Sequence, residues 1–355
     1  MTRFIKTAKS LSTGVVRAGT GALFYSGALS LLRSRKSRAH GHERGVSPFA
    51  VLLYHRVNPD NDPFFPANSV WAFDAQMRYL KKNFRVLTLS QIVDNVKQGK
   101  PVEPWTIAIT FDDGYRDNYL YAHPILKEYD LPATLFAATG YIGGNLLMWN
   151  DRLAWAIKNT EQNKIACQFD GREIILGLQT EEDKLRALNF LLEELKPYPE
   201  DDKNLTLEHL IEALRSKNNA PARLMLDWQE LGTMAKEGWD VGSHTVNHVI
   251  LTKIELPRAA EELKFSKDVI EEKLQRPAKL CAFPNGKQSD FNAPVKVMAK
   301  ELGYHGAVTT IEGMNASGLD LFELRRRSIW EEHLPTLACK LNYLYRRRET
   351  SHESN

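Results

Sequence analysis

Thr106-Ile-Ala-Ile-Thr-Phe-Asp-Asp-Gly-Tyr115 runs from an apolar, β-branched segment straight into two adjacent carboxylates and a glycine. A short apolar run bounded by turn residues is typical of a buried parallel strand. An unpaired carboxylate is costly to bury, so Asp112 and Asp113 are expected to be solvated, hydrogen-bonded or bound to a cation. Ligands bind at the carboxyl ends of strands in α/β sheets and barrels, which makes this turn a candidate site. For a lone Asp-Asp-Gly, a solvated turn would be the commoner explanation.

Strand-like and helix-like patterns alternate on both sides of this segment. Phe49–Tyr54 and Ala133–Ala137 are predicted strands, whereas Phe73–Asn83 and Pro257–Leu274 have helical spacing. This alternation indicates an α/β fold built on a parallel sheet or barrel. Residues 151–225 interrupt the alternation with a sequence rich in Lys, Glu, Leu and Asn, and we interpret them as a mostly helical insertion on the barrel.

Of the 355 residues, 43% are hydrophobic, which is enough to form a full core. Charge is distributed unevenly along the chain. Residues 1–44 contain nine Lys or Arg and one Glu, a net charge of +8, which leaves −5 for the rest of the chain against +3 overall. A mildly acidic body argues against a nucleic-acid-binding domain, whose footprint is a basic face. The three cysteines are too few and too scattered for a disulfide framework or a cysteine-based zinc site.

The N-terminal residues 1–45 form a separate basic arm in this interpretation. Its apolar, glycine-rich part, Val15–Leu32, is marginal in length for a membrane span, and Arg33-Ser-Arg-Lys36 follows where a signal peptide would be cleaved. A helix lying in the membrane interface fits this pattern, and a disordered basic tail is the alternative. We therefore expect a membrane-associated protein of the cell envelope, with a globular body at 46–340 and a basic tail at 341–355.

A second polar group, Asp240-Val-Gly-Ser-His-Thr-Val-Asn-His248, follows another predicted strand. His244 and His248 are four residues apart, the spacing that lets two imidazoles on one face of a helical turn bind one cation. Taken alone, two unrelated surface histidines would be the commoner explanation. Together with a carboxylate of the Asp-Asp pair they suit a divalent transition metal, zinc in the first place and cobalt or nickel as alternatives. Such a metal lowers the pKa of a water molecule, and the second carboxylate can take the proton.

Thr110-Phe-Asp-Asp-Gly-Tyr115 and Ser243-His-Thr-Val-Asn-His248 resemble the first two motifs of the polysaccharide deacetylases, the NodB homology domains of carbohydrate esterase family 4. The resemblance spans about Phe49 to Leu334 and includes Leu53-Tyr-His-Arg56 and Ala282-Phe-Pro-Asn-Gly286. It implies a distorted (β/α)7 barrel that uses a divalent metal to remove N-acetyl groups from amino-sugar polymers. Leu53-Tyr-His-Arg56 resembles the branch that acts on exopolysaccharides such as poly-N-acetylglucosamine.

The resemblance also implies a role for individual residues by their position in the motifs. Asp113, His244 and His248 would bind the metal. Asp112 would be the general base. His55, near the start of the domain, would be the general acid that protonates the departing amine.

The chain departs from the common family pattern in its third and last motifs. Ala282 stands where an arginine usually holds the catalytic aspartate. Arg326 in the last predicted strand would supply that charge, although Arg325, Arg326 and Arg327 must alternate between the two faces of the strand. The final Leu-x-His motif is also missing, and His333 is the nearest alternative acid. The missing arginine keeps open a third hypothesis, a sugar-binding relative without activity.

Several residues are candidates for substrate contact. The backbone N–H near Tyr115 would stabilise the developing oxyanion, and Phe283 and Pro284 would shape a pocket for the acetyl methyl group. Trp149 and Trp228 are candidate sugar platforms, although ordinary core packing explains such residues at least as often. The expected partner is an acetylated amino-sugar polysaccharide. Deformylation or deacetylation of a lipid-linked amino sugar is the alternative. The basic N-terminal arm favours it, because the arm is expected to lie at a membrane.

Overall fold

The computed structural model describes residues 17–26, 45–169, 171–216 and 223–347. The strands, in chain order, are β1 (Ala50–Tyr54), β2 (Arg85–Val86), β3 (Thr106–Phe111), β4 (Ala133–Ala137), β5 (Lys164–Phe169), β6 (Arg172–Gly177), β7 (Trp239–Ser243), β8 (Leu280–Ala282), β9 (Gly306–Glu312) and β10 (Leu324–Ser328). Seven parallel strands follow one another in the order β1-β10-β9-β8-β7-β4-β3, and pairing of β1 with β3 closes the barrel. Every residue of β1, β3 and β4 is buried, as expected of parallel strands covered on both faces.

The barrel is distorted where β2 joins it. This two-residue strand pairs with the start of β3, through Arg85 and Thr106, whereas β4 pairs with the end of β3, from Thr110 onwards. On this side of β3, β2 is the neighbour at the start of the strand and β4 is the neighbour at its end. The ring is therefore closed by seven strands, and β2 lies beside it as the eighth strand of the sheet. These features confirm the predicted α/β class and the distorted (β/α)7 barrel.

Helices surround the barrel. They are α1 (Val70–Asn83), α2 (Leu89–Lys97), α3 (His123–Glu128), α4 (Trp149–Asn159), α5 (Glu181–Leu195), α6 (Glu200–Leu214), α7 (Trp228–Lys236), α8 (Leu256–Leu274), α9 (Ala293–Glu301) and α10 (Leu334–Arg347). Side chains cap the starts of several of them, including α1, α2, α5 and α7. In α7, for example, the Asp227 carboxylate accepts a hydrogen bond from the Glu230 N–H, and the Glu230 carboxylate accepts one from the Asp227 N–H. Two backbone N–H groups that have no partner within the helix are thereby satisfied.

The region predicted as an insertion contains α4, the antiparallel hairpin β5–β6, α5 and α6, and is mostly helical as expected. The prediction missed the hairpin. β5 alternates buried and exposed side chains along most of its length. One face of the strand therefore packs on the insertion and the other faces solvent. Apolar residues of these elements, such as Leu153, Leu191 and Leu207, form a cluster of their own that also includes Phe64 from the loop after β1.

Part of the predicted N-terminal arm packs on the barrel. Residues 17–25 are helical, and the Thr20 carbonyl accepts a hydrogen bond from Cys339 Sγ in α10 at 3.8 Å. The Phe24 ring lies 5.7 Å from that of Tyr79, measured between centroids. The rest of the arm, on which the membrane-interface prediction also depends, lies outside the described residues. Within the described ranges, no helix combines the length and apolarity that crossing a bilayer requires.

The C-terminal helix α10 continues beyond residue 340, where we predicted a boundary between the barrel and a basic tail. Leu341 and Tyr345 are buried, and the Tyr345 hydroxyl donates to the Thr106 carbonyl at the start of β3. Leu341 and Tyr345 therefore pack on the barrel, and residues 341–347 belong to α10.

Candidate active site and metal centre

The candidate site residues follow the carboxyl ends of neighbouring strands. His55 comes directly after β1, Asp112 and Asp113 after β3, and His244 after β7. In the barrel, β3 pairs with β1 and β4, and β4 pairs with β7. Because parallel strands end at the same rim, these residues meet there although they are far apart in the sequence.

Asp113, His244 and His248 form a group that could hold a metal ion. One ligand atom from each lies within 4.8 Å of the others. Asp113 Oδ1 is 3.5 Å from His244 Nε2 and 3.3 Å from His248 Nε2. Among the described residues, Asp113 Oδ1 is buried without a hydrogen-bond partner, and a cation would satisfy it. One carboxylate and two imidazoles fit a divalent transition metal.

The protonation states of this group suit a cation. The Ala282 carbonyl can only accept, so His244 Nδ1, 2.9 Å away, carries the proton and Nε2 keeps its lone pair. Burial lowers the pKa of His244 to about 4, so the ring is neutral at pH 7. Burial alone would raise the pKa of Asp113, but the imidazole of His248, 3.3 Å away, outweighs it and holds that pKa well below its ordinary value. A carboxylate and a neutral imidazole are the forms that bind metals.

The segment between the two histidines is an irregular loop, which corrects the predicted helical turn. Thr245 and His248 have φ values of 63° and 54°, in the left-handed region that a right-handed helix excludes. The carboxylate of Glu262 in α8 accepts from the N–H groups of Val246 and Asn247 at 2.8 Å each. Hydrogen bonds to a side chain therefore fix this loop, where a helix would have used its own carbonyls.

Asp112 is paired with Arg326. The guanidinium donates two hydrogen bonds to the carboxylate at 2.7 and 2.6 Å, and its Nε donates to the Thr309 carbonyl at 2.8 Å. Burial acts to raise the pKa of Asp112, but the adjacent Arg326 and His244 lower it by a larger amount. The pKa is therefore below its ordinary value, and the carboxyl is ionised at neutral pH. Arg326 is fully buried whereas Arg325 is exposed, in agreement with the alternation along β10.

A cavity of about 210 Å³ opens beside Asp113. Its lining includes His55 and Trp330, whose rings are nearly parallel, at an angle of 16° with centroids 6.2 Å apart. The side chain of Trp330 is half exposed. Sequence reasoning missed Trp330, although a tryptophan directly after the last strand of the barrel was a usable signal.

Asp151 is a second residue that sequence reasoning missed. It lies buried in the first turn of α4, lines the same cavity and accepts a hydrogen bond from the Tyr115 hydroxyl at 3.0 Å. Burial raises the pKa of Asp151 to about 7, and the charge of Asp113 adds to the effect. The Arg56 guanidinium also contacts Tyr115 and lies over its ring, 4.7 Å from the ring centre.

The end of the insertion also contacts the loop after β3. Arg116 N–H donates to the Leu224 carbonyl at 2.7 Å, and Leu226 N–H donates to the Gly114 carbonyl at 3.0 Å. Between them, Tyr115 faces residue 225 as a non-hydrogen-bonded antiparallel pair, so its own N–H points away from that segment. This orientation leaves the Tyr115 N–H available to another acceptor.

The remaining candidates do not line this cavity. Phe283 and Pro284 are buried, with Phe283 stacked on Phe291 at 5.1 Å in the core, and their contact with an acetyl group stays a prediction. Trp149 packs in the core of the insertion, where the Lys203 ammonium lies 5.0 Å from its ring.

Trp228 and His333 also lie elsewhere. Trp228 packs partly buried against the barrel helices at the start of α7. His333 Nδ1 is 2.8 Å from the Thr336 hydroxyl at the start of α10. A local hydrogen bond of this kind explains His333 without catalysis.

Comparison with known proteins gives consistent results. A family model described as "Polysaccharide deacetylase" matches residues 99–307. The YxkH protein of Bacillus subtilis (strain 168), whose name assigns it provisionally to the polysaccharide deacetylases, is 22% identical over 277 residues, covering 78% of this chain and 69% of that protein. The poly-beta-1,6-N-acetyl-D-glucosamine N-deacetylase of Staphylococcus aureus (strain N315) is 39% identical over 107 residues, 26% of this chain and 37% of the enzyme.

A solved structure shares the fold. IcaB from Ammonifex degensii aligns with a TM-score of 0.55 at 18% identity, covering 83% of this chain and 98% of that one. At this identity, the likeness shows the common barrel only.

Proposed function

Because the chain belongs to the polysaccharide deacetylase family, we propose that it is a metal-dependent hydrolase that removes N-acetyl groups from an amino-sugar polysaccharide. The observation that carries the proposal is the placement of Asp113, His244 and His248 directly beside an ionised Asp112. The staphylococcal relative is named for a poly-N-acetylglucosamine, which favours an exopolysaccharide of that class as the substrate.

Asp113, His244 and His248 would hold the ion, with zinc in the first place and cobalt or nickel as alternatives. When bound, a divalent metal would activate a water molecule and polarise the amide carbonyl. The three side chains leave coordination positions open, which a catalytic metal needs.

The proton transfers fall to other residues. Asp112 takes a proton from the attacking water, since Arg326 keeps its carboxylate ionised and aligned. The Tyr115 N–H donates to the oxygen on which negative charge develops, an interaction of roughly 3–4 kcal/mol in other enzymes. His55, which lines the cavity beside Asp113, protonates the departing amine.

Metal content and turnover, measured on the same preparations, test these assignments. Asp113→Ala and His248→Ala should lose bound metal, whereas Asp112→Asn should keep the metal and lose acetate release from N-acetylglucosamine oligosaccharides. His55→Ala should lose turnover and His333→Ala should not. If Asp112→Asn released acetate at the wild-type rate, the assigned roles would be wrong. A panel of substrates that includes a lipid-linked N-acyl amino sugar shows whether the enzyme prefers this class to the polysaccharide.

A location in the cell envelope is part of the proposal, since exopolysaccharides lie at the cell surface. Fractionation of cells that express the full chain tests it, and recovery of the protein in the soluble cell interior would contradict it. A parallel fractionation of a variant without residues 1–45 shows whether the basic arm holds the protein at a membrane.

A further inference from the structure

Lysines surround one end of the barrel. Six helices, α1, α2, α3, α7, α8 and α9, carry lysine in their last turn: Lys81, Lys82, Lys97, Lys127, Lys236, Lys273 and Lys300. Each of these helices is followed, after a short connection, by the start of a strand. The lysines therefore lie at the end where the strands begin, opposite the rim that carries Asp113. Lysine in the last turn stabilises a single helix through its dipole, and the barrel collects six such helix ends on one side, the lysine face.

Much of this charge is not neutralised by neighbouring acids. Three of the lysines form ion pairs: Lys81 with Asp130, Lys127 with Glu237 and Lys273 with Glu272. Within the described ranges, the other four have no ion-pair partner and are exposed. Lys100 after α2 and Arg276 after α8 are two further exposed cations at this end, and the exposed Glu128 and Glu301 offset part of the charge. The lysine face thus stays positive on a body whose net charge is −5.

The helix of residues 17–25 runs toward the same face. Thr20 contacts Thr336 at the start of α10, and Phe24, one turn later, contacts Tyr79 in the second half of α1. Both α1 and α10 run toward the lysine face, since α1 leads into β2 and the end of α10 bonds to the start of β3. The N-terminal helix therefore follows their direction.

The described residues on both sides of 27–44 thus lie toward the lysine face. Before this segment, Tyr25 ends the helix and is 79% exposed. After it, Val46 forms a β-bridge with Val102, just before β3 begins. The sequence of 27–44 contains five Arg or Lys and one Glu. Exposed aromatic residues together with basic residues are typical of a protein surface that lies on lipid headgroups.

We propose that the lysine face docks on an anionic membrane surface, whose phosphate headgroups neutralise the unpaired lysines. The inference rests on the envelope location proposed above and does not depend on the hydrolytic activity. Lysines spread around the whole end of a barrel suit a flat surface, whereas a linear polyanion is bound along a groove. Docking by this face would turn the metal centre, at the opposite rim, toward a glycan in the aqueous phase.

Vesicle sedimentation with the full chain tests this proposal. The probes are vesicles of equimolar phosphatidylglycerol and phosphatidylcholine, and vesicles of phosphatidylcholine alone. Binding should require the anionic lipid and weaken as salt is added. One variant combines four changes at the unpaired lysines: Lys82→Gln, Lys97→Gln, Lys236→Gln and Lys300→Gln. It should bind at least about 25-fold more weakly, since each lysine that reaches the headgroups contributes about fivefold.

Two further variants control for net charge and for folding. The first removes four positive charges from the insertion and from loops at the opposite rim: Lys164→Gln, Lys196→Gln, Lys253→Gln and Lys287→Gln. It should bind anionic vesicles as the wild type does. The second replaces the four unpaired lysines of the lysine face with arginine, which keeps the charge and should preserve binding. Urea unfolding shows whether each variant is folded.

The outcomes separate the docking face from the proposed function. Equal losses in the two glutamine variants would overturn the docking face, because net charge alone would then explain the binding. Binding to double-stranded DNA but not to anionic vesicles would also overturn it, in favour of a nucleic-acid partner. The lysine-face glutamine variant should still release acetate from soluble N-acetylglucosamine oligosaccharides. If the wild type released none while vesicle binding followed the expected pattern, the proposed function would fail and the docking face would stand.

Discussion

Arg326 and Asp112 form a fully buried, two-pronged ion pair across the barrel, although 214 positions separate them in the sequence. Removing two charges from water is costly, and such a pair is stable only when its geometry and remaining hydrogen bonds are good. Here Arg326 also donates to the Thr309 carbonyl. In the proposed mechanism, Arg326 takes, from a different strand, the place of the arginine that is missing at Ala282.

Replacing Arg326 with Met should reduce turnover at least 100-fold at neutral pH. The charge of Arg326 lowers the pKa of Asp112, so its removal raises that pKa, and the acidic limb of the pH profile of kcat/KM should move to higher pH. An unpaired buried carboxylate should also lower the free energy of unfolding by about 3–5 kcal/mol. Arg325→Met, at the exposed neighbouring position, is the control. A pH profile unchanged in the Arg326→Met protein would show that this arginine does not tune the base.

Replacing Glu262 with Gln should weaken metal binding about 10- to 100-fold. Its Oε2 accepts from the N–H groups of Val246 and Asn247, and its Oε1 accepts from Asn247 Nδ2. An amide loses the negative charge and turns an NH2 group toward one of these donors, which loosens the loop that carries His248. Metal affinity can be measured by competition with a chelator. Glu261→Gln, one position earlier and exposed, should bind metal as the wild type does. Equal affinities in the two variants would mean that the loop keeps its shape without Glu262.

Replacing Asp151 with Asn should change how stability depends on pH. Since burial raises the pKa of Asp151 to about 7, the folded protein keeps a proton that the unfolded chain loses above about pH 4. Asp151 therefore lowers the free energy of unfolding as pH rises from about 4 to 7, by up to roughly 4 kcal/mol, whereas His244, with its pKa lowered to about 4, raises it over part of the same range. In Asp151→Asn only the contribution of Asp151 should be absent, so the variant should gain stability relative to the wild type as pH rises.

Urea unfolding of metal-free protein at several pH values checks this prediction. Asp130→Asn, which changes a fully exposed side chain, should leave the wild-type dependence intact. A difference in stability between wild type and Asp151→Asn that stays constant from pH 4 to 7 would show that Asp151 does not titrate in this range.

Replacing Phe24 with Ala should lower the free energy of unfolding by about 1–2 kcal/mol, because this ring packs against Tyr79 and the barrel core. Tyr25→Ala, at the adjacent position with 79% exposure, should have little effect. Denaturation of the full-length variants in urea makes the comparison. Similar losses in both proteins would show that the contact of residues 17–25 with the barrel does not stabilise the fold.

The barrel strands were the most predictable part of the fold. β4 was predicted at its observed bounds, because a buried parallel strand is a short apolar run between turn residues, here Pro132 before it and Thr139-Gly140 soon after it. The hairpin β5–β6 was missed, since its two short apolar runs lie within a sequence rich in Lys, Glu and Leu that as a whole is typical of helices.

In the site, local motifs indicated chemistry but not conformation. The spacing of His244 and His248 suggested a helical turn, yet contacts with Glu262, from a helix that follows later in the chain, impose left-handed backbone at His248. Trp149 was proposed as a sugar platform from its residue type alone. Tertiary packing buried it in the insertion and exposed Trp330 instead.

By itself, the sequence determined where most strands of the barrel lie and which residue types stand at their ends, because both depend on neighbours within a few positions. It also determined that Arg326 and Arg325 would face opposite sides of β10, since side chains alternate along any strand. Only the tertiary structure decided that the inward side chain is Arg326 and that it meets Asp112. That choice depends on the register and closure of the barrel, which bring together residues that no local pattern connects.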